Sequence, residues 1–321
     1  MARTIILDCD PGADDAMAIA FAVGSPELDL AGVTTVAGNV SLEKTTANAL
    51  RVLEFAGAGD IPVTPGSSVP LLRPPLTAEH VHGDDGLRGA RLPPPAAAPR
   101  PGHATDFIID TALAAPGEVT LVATGPLTNI ALALRRQPAL AAKVRDFVIM
   151  GGSSGRGNVT PAAEFNIAAD PEAAAIVFGA GWSVTMVGLD VTLRATADAA
   201  VTARIAALGR LGTDLLLPCL GSQAGGDRVA ELPGPADSYS IDPAVHDLCA
   251  VAYLARPDLL GLEPARVEVE TAGQWTAGMT VTDFRAPPPR RNALVAMTID
   301  VPALWETALA SYRRVALRFR A

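Results

Sequence analysis

The segment Asp8-Cys9-Asp10-Pro11-Gly12-Ala13-Asp14-Asp15 gathers four carboxylates within eight positions. Behind it lies the apolar, β-like run Ile5-Ile6-Leu7, and ahead of it the alanine-rich run Ala16-Met17-Ala18-Ile19-Ala20. The spacing predicts a strand that ends in two aspartates at alternate positions, a turn through Pro11-Gly12, and a helix whose first turn carries Asp14 and Asp15. Carboxylates this close repel one another, so a folded site that gathers them needs a cation, bound protons or wide spacing. A divalent metal is the simplest answer. The plainer alternative is that Asp14 and Asp15 complement the positive end of a helix dipole.

Four further segments carry candidate chemistry. Val122-Ala123-Thr124-Gly125-Pro126 reads as a strand end followed by a helix start, and a main-chain carbonyl there, such as that of Thr124, suits a hard cation. Gly-Pro turns are also common as plain structure. In Ala163-Glu164-Phe165-Asn166-Ile167, an extended backbone would point Glu164 and Asn166 to one side, a pairing suited to vicinal hydroxyls; a solvated polar loop is the alternative. Asp170-Pro171-Glu172 directly after it is a helix-initiation pattern. Two histidines have context: His82 in the turn-like His-Gly-Asp-Asp-Gly-Leu, and His246 beside Asp247 at a helix start. His80 and His103 are expected at the surface. Gly151 to Gly157 is glycine-rich but lacks the spacing of either phosphate-binding fingerprint, and no Gly-x-Ser-x-Gly elbow is present.

Positioning these residues requires an alternation of short apolar runs and helical patterns. Strands are expected at 30–37, 61–63, 119–123, 147–150, 184–188, 267–270, 279–281 and 293–299, and helices at 42–56, 126–136, 171–178 and from 302 to about 318. Alternation with little hairpin chemistry predicts an α/β fold, a mainly parallel sheet covered by helices on both faces. Strand-to-helix loops at the C-terminal edge of such a sheet are where ligands bind, which is where Asp10 would stand. The uncharged stretch Ala173 to Leu189 is broken by Gly179, Gly181 and Gly188, and reads as a helix, a turn and a buried strand rather than a membrane span. Proline-rich 92–101 is a surface loop or extended linker. Residues 221–243 are expected as a mobile active-site loop region. Neither these nor Pro287 to Pro289 mark a clean boundary, so residues 1–321 are read as one domain.

The chain of 321 residues is 49% hydrophobic, enough for a large core, and carries a net charge of −9. That balance argues against nucleic acid or an anionic membrane as a partner and favours a metal or a small neutral or cationic ligand. Cys9, Cys219 and Cys249 are too few and too scattered for a disulfide framework or a zinc site. With no apolar signal stretch at the start, a cytoplasmic location is expected.

Taken together these residues resemble the inosine-uridine preferring nucleoside hydrolase family, block by block along nearly the whole chain. The blocks are 8–16, Val36-Ala37-Gly38-Asn39, His82-Gly83, 123–131, Met150-Gly151-Gly152, 157–166 with 170–173, His246-Asp247 and 278–281. The resemblance implies a Rossmann-like fold and calcium-dependent hydrolysis of the N-glycosidic bond of a ribonucleoside to free base and ribose. It implies that Asp10, Asp15, Asp247 and the carbonyl of Thr124 hold Ca²⁺, and that Asp10 is the general base for the attacking water. Asp14, Asn39, Glu164, Asn166 and Asp247 would bind the ribose, with Met150 lining the pocket. His246 would protonate or relay a proton to the leaving base and His82 would shape that side, which points to the inosine-uridine or pyrimidine-preferring branch. Tyr239 is a candidate partner in that relay, or a stacking residue. Val40 follows Asn39 where the purine-specific branch tends to carry aspartate. A homodimer or homotetramer is also implied.

Two other readings compete. A haloacid-dehalogenase-type phosphatase also uses Asp-x-Asp after an apolar strand; Asp8 would be its nucleophile and Mg²⁺ its metal. Its required late lysine is missing, since Lys44 and Lys143 are the chain's two lysines and neither follows a suitable strand. A non-catalytic protein that binds calcium and a nucleoside is the second, because fold and motif do not by themselves prove turnover.

Overall fold

The computed structural model describes residues 2–221, 244–285 and 291–319. Its strands are β1 (Arg3–Cys9), β2 (Leu28–Thr35), β3 (Val63–Pro65), β4 (Thr120–Ala123), β5 (Phe147–Met150), β6 (Val184–Val187), β7 (Leu260–Val269), β8 (Thr280–Asp283) and β9 (Ala293–Ile299). The helices are α1 (Ala13–Gly24), α2 (Leu42–Phe55), α3 (Glu79–His82), α4 (Ala104–Ala114), α5 (Thr128–Arg136), α6 (Phe165–Ala169), α7 (Pro171–Phe178), α8 (Leu189–Thr192), α9 (Ala199–Ala206), α10 (Leu217–Gly221), α11 (Asp247–Ala255) and α12 (Val301–Arg318). A single nine-stranded sheet runs in the order β3-β2-β1-β4-β5-β6-β9-β7-β8. Pairing is parallel from β3 through β9, while β7 runs antiparallel to β9 and β8 antiparallel to β7.

Ile5 to Cys9 are buried on both faces of the sheet, which is why β1 reads as a continuous apolar run. Ile5, Leu7 and Cys9 pack on one side with α1, α2, α11 and α12, whereas Ile6 packs on the other with α4, α5 and α7. The expected two-sided α/β architecture is therefore present. Helix α1 is clasped by α11 and α12 through small residues: a Cβ at Gly24 would overlap the carbonyl oxygen of Ser311, and Tyr312 donates its hydroxyl to the carbonyl of Met17 at 3.2 Å.

The strand order reverses direction between β1 and β4, and in sheets of this kind the crevice at such a switch point is the ligand site. Ala173 to Leu189 resolves into α7, a turn and β6, as expected, and no helix among the described residues is long and apolar enough to cross a membrane. Residues 92–101 contain no helix or strand. The structure adds α4, which the sequence reading passed over, and lengthens β7 to Leu260–Val269. His103 is not a bare surface residue: its ring accepts from Thr105 N at 3.2 Å and caps α4. Residues 222–243, with Tyr239, and residues 286–290, with Pro287 to Pro289, lie outside the described residues.

Candidate active site

Asp10, Thr124 and Met150 stand at or just past the C-terminal ends of the adjacent strands β1, β4 and β5. Over them opens a pocket of about 240 Å³, and Asp14, Asn39, His82, Thr124, Met150, Glu164, Asn166, His246 and Asp247 all line it. Nine separately expected residues thus converge on one cavity. Asp10 and Asp15 lie deeper, fully buried.

Asp10 is held by its neighbours' backbone. Its Oδ2 accepts from Asn39 N at 2.7 Å, while Oδ1 is buried without a hydrogen-bond partner. A Cβ at Gly38 would overlap Oδ2, and one at Gly125 would come within 2.7 Å of Oδ1, so both glycines are needed to let the carboxylate fit. Asp15 Oδ2 accepts from Gly12 N at 3.0 Å and Asn39 Nδ2 at 3.3 Å, and its Oδ1 accepts from Thr124 Oγ1 at 2.8 Å. Oxygen atoms of Asp14, Asp15 and Asp247 lie within 4.8 Å of one another. That grouping shares Asp15 and Asp247 with the expected metal ligands and adds Asp14, while Asp10 contributes the unpartnered oxygen beneath it. The carbonyl of Thr124 accepts from Asn166 Nδ2 at 2.8 Å, which turns the amide oxygen of Asn166 away from that contact.

Burial and mutual repulsion set the charge state. Asp10 and Asp247 are pushed well above the usual carboxylate range, first by burial and then by the neighbouring aspartates. Asp15 rises to about 7 for the same reasons. A cation placed among these carboxylates would relieve that repulsion, and Asp14, Asp15 and Asp247 lie close enough together to hold one. Asp14 is instead held below the usual range: burial pushes it up, but His82, His246 and Arg88 together outweigh that. Burial depresses both histidines, His82 to about 4, so both imidazoles are uncharged at neutral pH and the permanent positive charge among the three is Arg88's. His82 Nδ1 accepts from Ala13 N at 3.1 Å, which leaves the ring proton on Nε2. His246 Nδ1 lies 2.9 Å from Thr192 Oγ1.

Glu164 and Asn166 do not lie on an extended segment. Glu164 is the N-cap of α6, and its carboxylate accepts from Asn166 N, Ile167 N and Gly152 N at 2.9, 3.2 and 2.9 Å. Orphan N–H groups at a helix start attract an acid strongly, and here they hold it at the pocket wall. Burial still raises Glu164 to about 7. The pocket also takes in Ala78, His80, Val81, Asn158, Val159 and Phe165. His80 is exposed as expected, but at this pocket. Asn158, whose Oδ1 accepts from Phe165 N at 3.0 Å, and Val159 both fall within the 157–166 block but were not among the expected site residues, and Val81 carries no local signal.

The phosphatase reading fails on Asp8. Its side chain is 1% exposed, its Oδ1 is held by Thr34 Oγ1 at 2.5 Å and Asn129 Nδ2 at 2.8 Å, and burial raises it to about 7. A nucleophile must be reachable, and Asp8 is buried with Oδ1 tied to Thr34 and Asn129.

A Rossmann-like sheet whose switch-point crevice holds a buried carboxylate cluster, flanked by amide groups and two uncharged histidines, defines a hydrolase-type site suited to a cation and a small polyhydroxylated ligand. The chain belongs to the inosine-uridine preferring nucleoside hydrolase family, whose sequence profile matches residues 5–306. It is 50% identical over 303 residues to a non-specific ribonucleoside hydrolase, RihC, of Klebsiella pneumoniae, covering 94% of this chain and 95% of that protein. An inosine-uridine preferring nucleoside hydrolase of Leishmania major is 43% identical, with 98% and 99% covered. Among solved structures, a purine-preferring ribonucleoside hydrolase from Gardnerella vaginalis superposes with a TM-score of 0.86 at 32% identity, over 98% of this chain and 99% of that one.

Proposed function

We propose that this chain is a single-domain enzyme that hydrolyses the N-glycosidic bond of ribonucleosides to free base and ribose, with inosine and uridine or the pyrimidine nucleosides preferred. The observation that carries the reading is the unpartnered, fully buried Oδ1 of Asp10 beneath a pocket lined by Asp14, Asn39, Asn166 and Asp247. A buried carboxylate oxygen without a donor is costly unless a cation or a reacting proton uses it.

The donor set fits calcium, which takes carboxylate and carbonyl oxygens in a flexible shell. Asp10, Asp15, Asp247 and the carbonyl of Thr124 would hold it, with Asp14 at the margin. Bound there, Ca²⁺ would supply Lewis acidity toward water and the ribose hydroxyls. Asp10 accepts the proton of the attacking water, and Asn39 N–H on Oδ2 keeps the carboxylate aimed while it does so. Asp14, Asn39, Glu164, Asn166 and Asp247 bind the ribose hydroxyls, and Met150 packs against the ring. As the C1′–N bond breaks, its electron pair leaves with the base and positive charge grows on the ribose, where the surrounding carboxylates stabilise it. His82 presents Nε2–H toward the base. His246, neutral at rest and joined to Thr192, relays the proton that the departing nitrogen takes up. Tyr239, outside the described residues, remains proposed as a partner in that relay or in stacking.

The net charge of −9 and the three free, buried cysteines support a cytoplasmic enzyme acting on a small molecule. A homodimer or homotetramer is proposed from family membership, and light scattering on the purified protein tests it. For the activity, the test is chromatography of free bases after incubation with uridine, cytidine, inosine, adenosine and guanosine. Base release should fall by about 10²- to 10⁴-fold in Asp10→Asn, the range for loss of a general base. Nucleosides bound tightly yet recovered intact would favour a binding protein instead.

A further inference from the structure

Arg88 is the one non-glycine residue among the described residues with a left-handed backbone, at φ 52°. It lies in Gly86-Leu87-Arg88-Gly89, where both glycines also have positive φ. A glycine would take this conformation without strain, so the retained side chain must do something that offsets the cost.

What it does is visible in its bonds. The main-chain N–H of Arg88 donates to the carbonyl of His82 at 3.0 Å, as any residue there could, while the side chain's Nε donates to the carbonyl of Val81 at 2.9 Å. On the other side Nη1 donates to the carbonyl of Cys219 in α10 at 3.1 Å. One residue therefore grips the last two positions of α3 before Gly83 and ties them to a helix more than a hundred positions away. Val81 and His82 both line the pocket. The His82 ring is fixed from the opposite side by Ala13 N, at the start of the helix that carries Asp14 and Asp15. His82 is thus pinned at its carbonyl by the Arg88 main chain and at its ring by α1, while the Arg88 side chain fixes the adjoining Val81.

We propose that Arg88 is a positioning residue for the leaving base: its side chain holds Val81, and through it the adjoining His82 with its Nε2–H, in place on the base side of the pocket. The inference rests on the nucleoside hydrolase reading. Lysine does not replace it, because a single ammonium lacks the planar fork that reaches two carbonyls in divergent directions.

The test compares two substrates. Inosine or uridine carries a base that must be helped to leave, whereas p-nitrophenyl β-D-ribofuranoside releases a phenolate that is stable without a donor. Arg88→Lys, which keeps a positive charge near Asp14, should lose about tenfold or more in kcat on the nucleoside, as expected for a lost charge-assisted hydrogen bond, and under about twofold on the aryl riboside, while Arg88→Gly, which removes that charge as well, should lose more on the nucleoside than on the aryl riboside. Arg88→Gly relieves the left-handed strain but gives up the bonds to Val81 and Cys219, and Arg88→Lys keeps the comparison open should that variant fail to fold. His82→Ala should give the same split, and the double variant should lose no more than either alone. Equal losses on both substrates, or no loss on either, overturn the role of Arg88 while leaving the hydrolase reading intact. A wild-type protein that cleaves neither substrate overturns both.

Discussion

Asp8→Asn is expected to change stability in a pH-dependent way that follows from its burial. In the native protein burial raises the Asp8 carboxyl from 3.8 to about 7, against the lowering effect of Thr34 and Asn129. The unfolded carboxyl keeps its ordinary value and is ionised throughout the range from about pH 5 to pH 8.5. A carboxyl with a raised folded pKa stabilises the native state at low pH and loses that contribution as pH rises through the folded value. Over the roughly two pH units between pH 5 and its folded pKa, at 1.36 kcal/mol per unit, the loss is about 2.7 kcal/mol. Asparagine cannot ionise. Its amide oxygen can accept the Thr34 and Asn129 bonds, and its NH₂ falls where Oδ2 has no partner, a penalty of about 1–3 kcal/mol that does not depend on pH. Urea denaturation of both proteins in chelator, at about pH 5 and pH 8.5, isolates the effect, since the other carboxylates titrate alike in both and cancel. The variant should gain about 2.7 kcal/mol on the wild type between the two conditions. A difference independent of pH, or one that moves the other way, refutes the assignment of Asp8 as a buried acid with a raised folded pKa.

Calcium should bind with release of protons, because Asp15 at about 7 and Asp10 and Asp247 above the usual range hold protons in the metal-free protein. Apparent affinity should therefore rise with pH through about 7, and titration calorimetry in two buffers of different ionisation enthalpy counts the protons; a flat profile contradicts the cluster. At a hundredfold excess over Kd the ion should add about 2.7 kcal/mol, or roughly 4 °C in Tm for a chain of this size, read by thermal melting with and without chelator. Asp170→Ala removes the cap of α7 and the acceptor for both Leu71 N and Thr128 Oγ1, and should cost roughly 2–4 kcal/mol in denaturant unfolding. Gly38→Ala forces a methyl into Asp10 Oδ2, so base release should fall at least about tenfold while the circular dichroism spectrum stays native.

The acidic loop was legible in the sequence because its chemistry is local: β1 delivers Asp10, and α1 follows within one turn. The same holds for Thr124 at a strand end and for Asp247 at a helix start, each marked by the element that places it. Glu164 was found but its setting was misread, since polar residues at i and i+2 suit a strand as well as a cap followed by helix, and Gly152 N, twelve positions away, helps decide between them. Val81, Val159 and Arg88 were not legible. Their roles come from a loop folding over a crevice, and no periodicity encodes which side chains meet there. Helix α4 was passed over because a proline-rich stretch precedes it and its histidine cap is not among the residues that usually announce a helix.

The clasp of α12 on α1 has a consequence for how the protein is made. Tyr312 reaches Met17 across 295 positions, and the helix it grips presents Asp14 to the pocket and carries Asp15 beneath it. At about 5–20 residues per second, ribosomes need roughly 15–60 s to produce that partner after α1 has emerged. During that interval α1 lacks the support of α12, and Asp247 does not yet exist for most of it. Nascent chains stalled before residue 301 are therefore expected to release no base in calcium, and activity should appear in a single step as α12 leaves the exit tunnel.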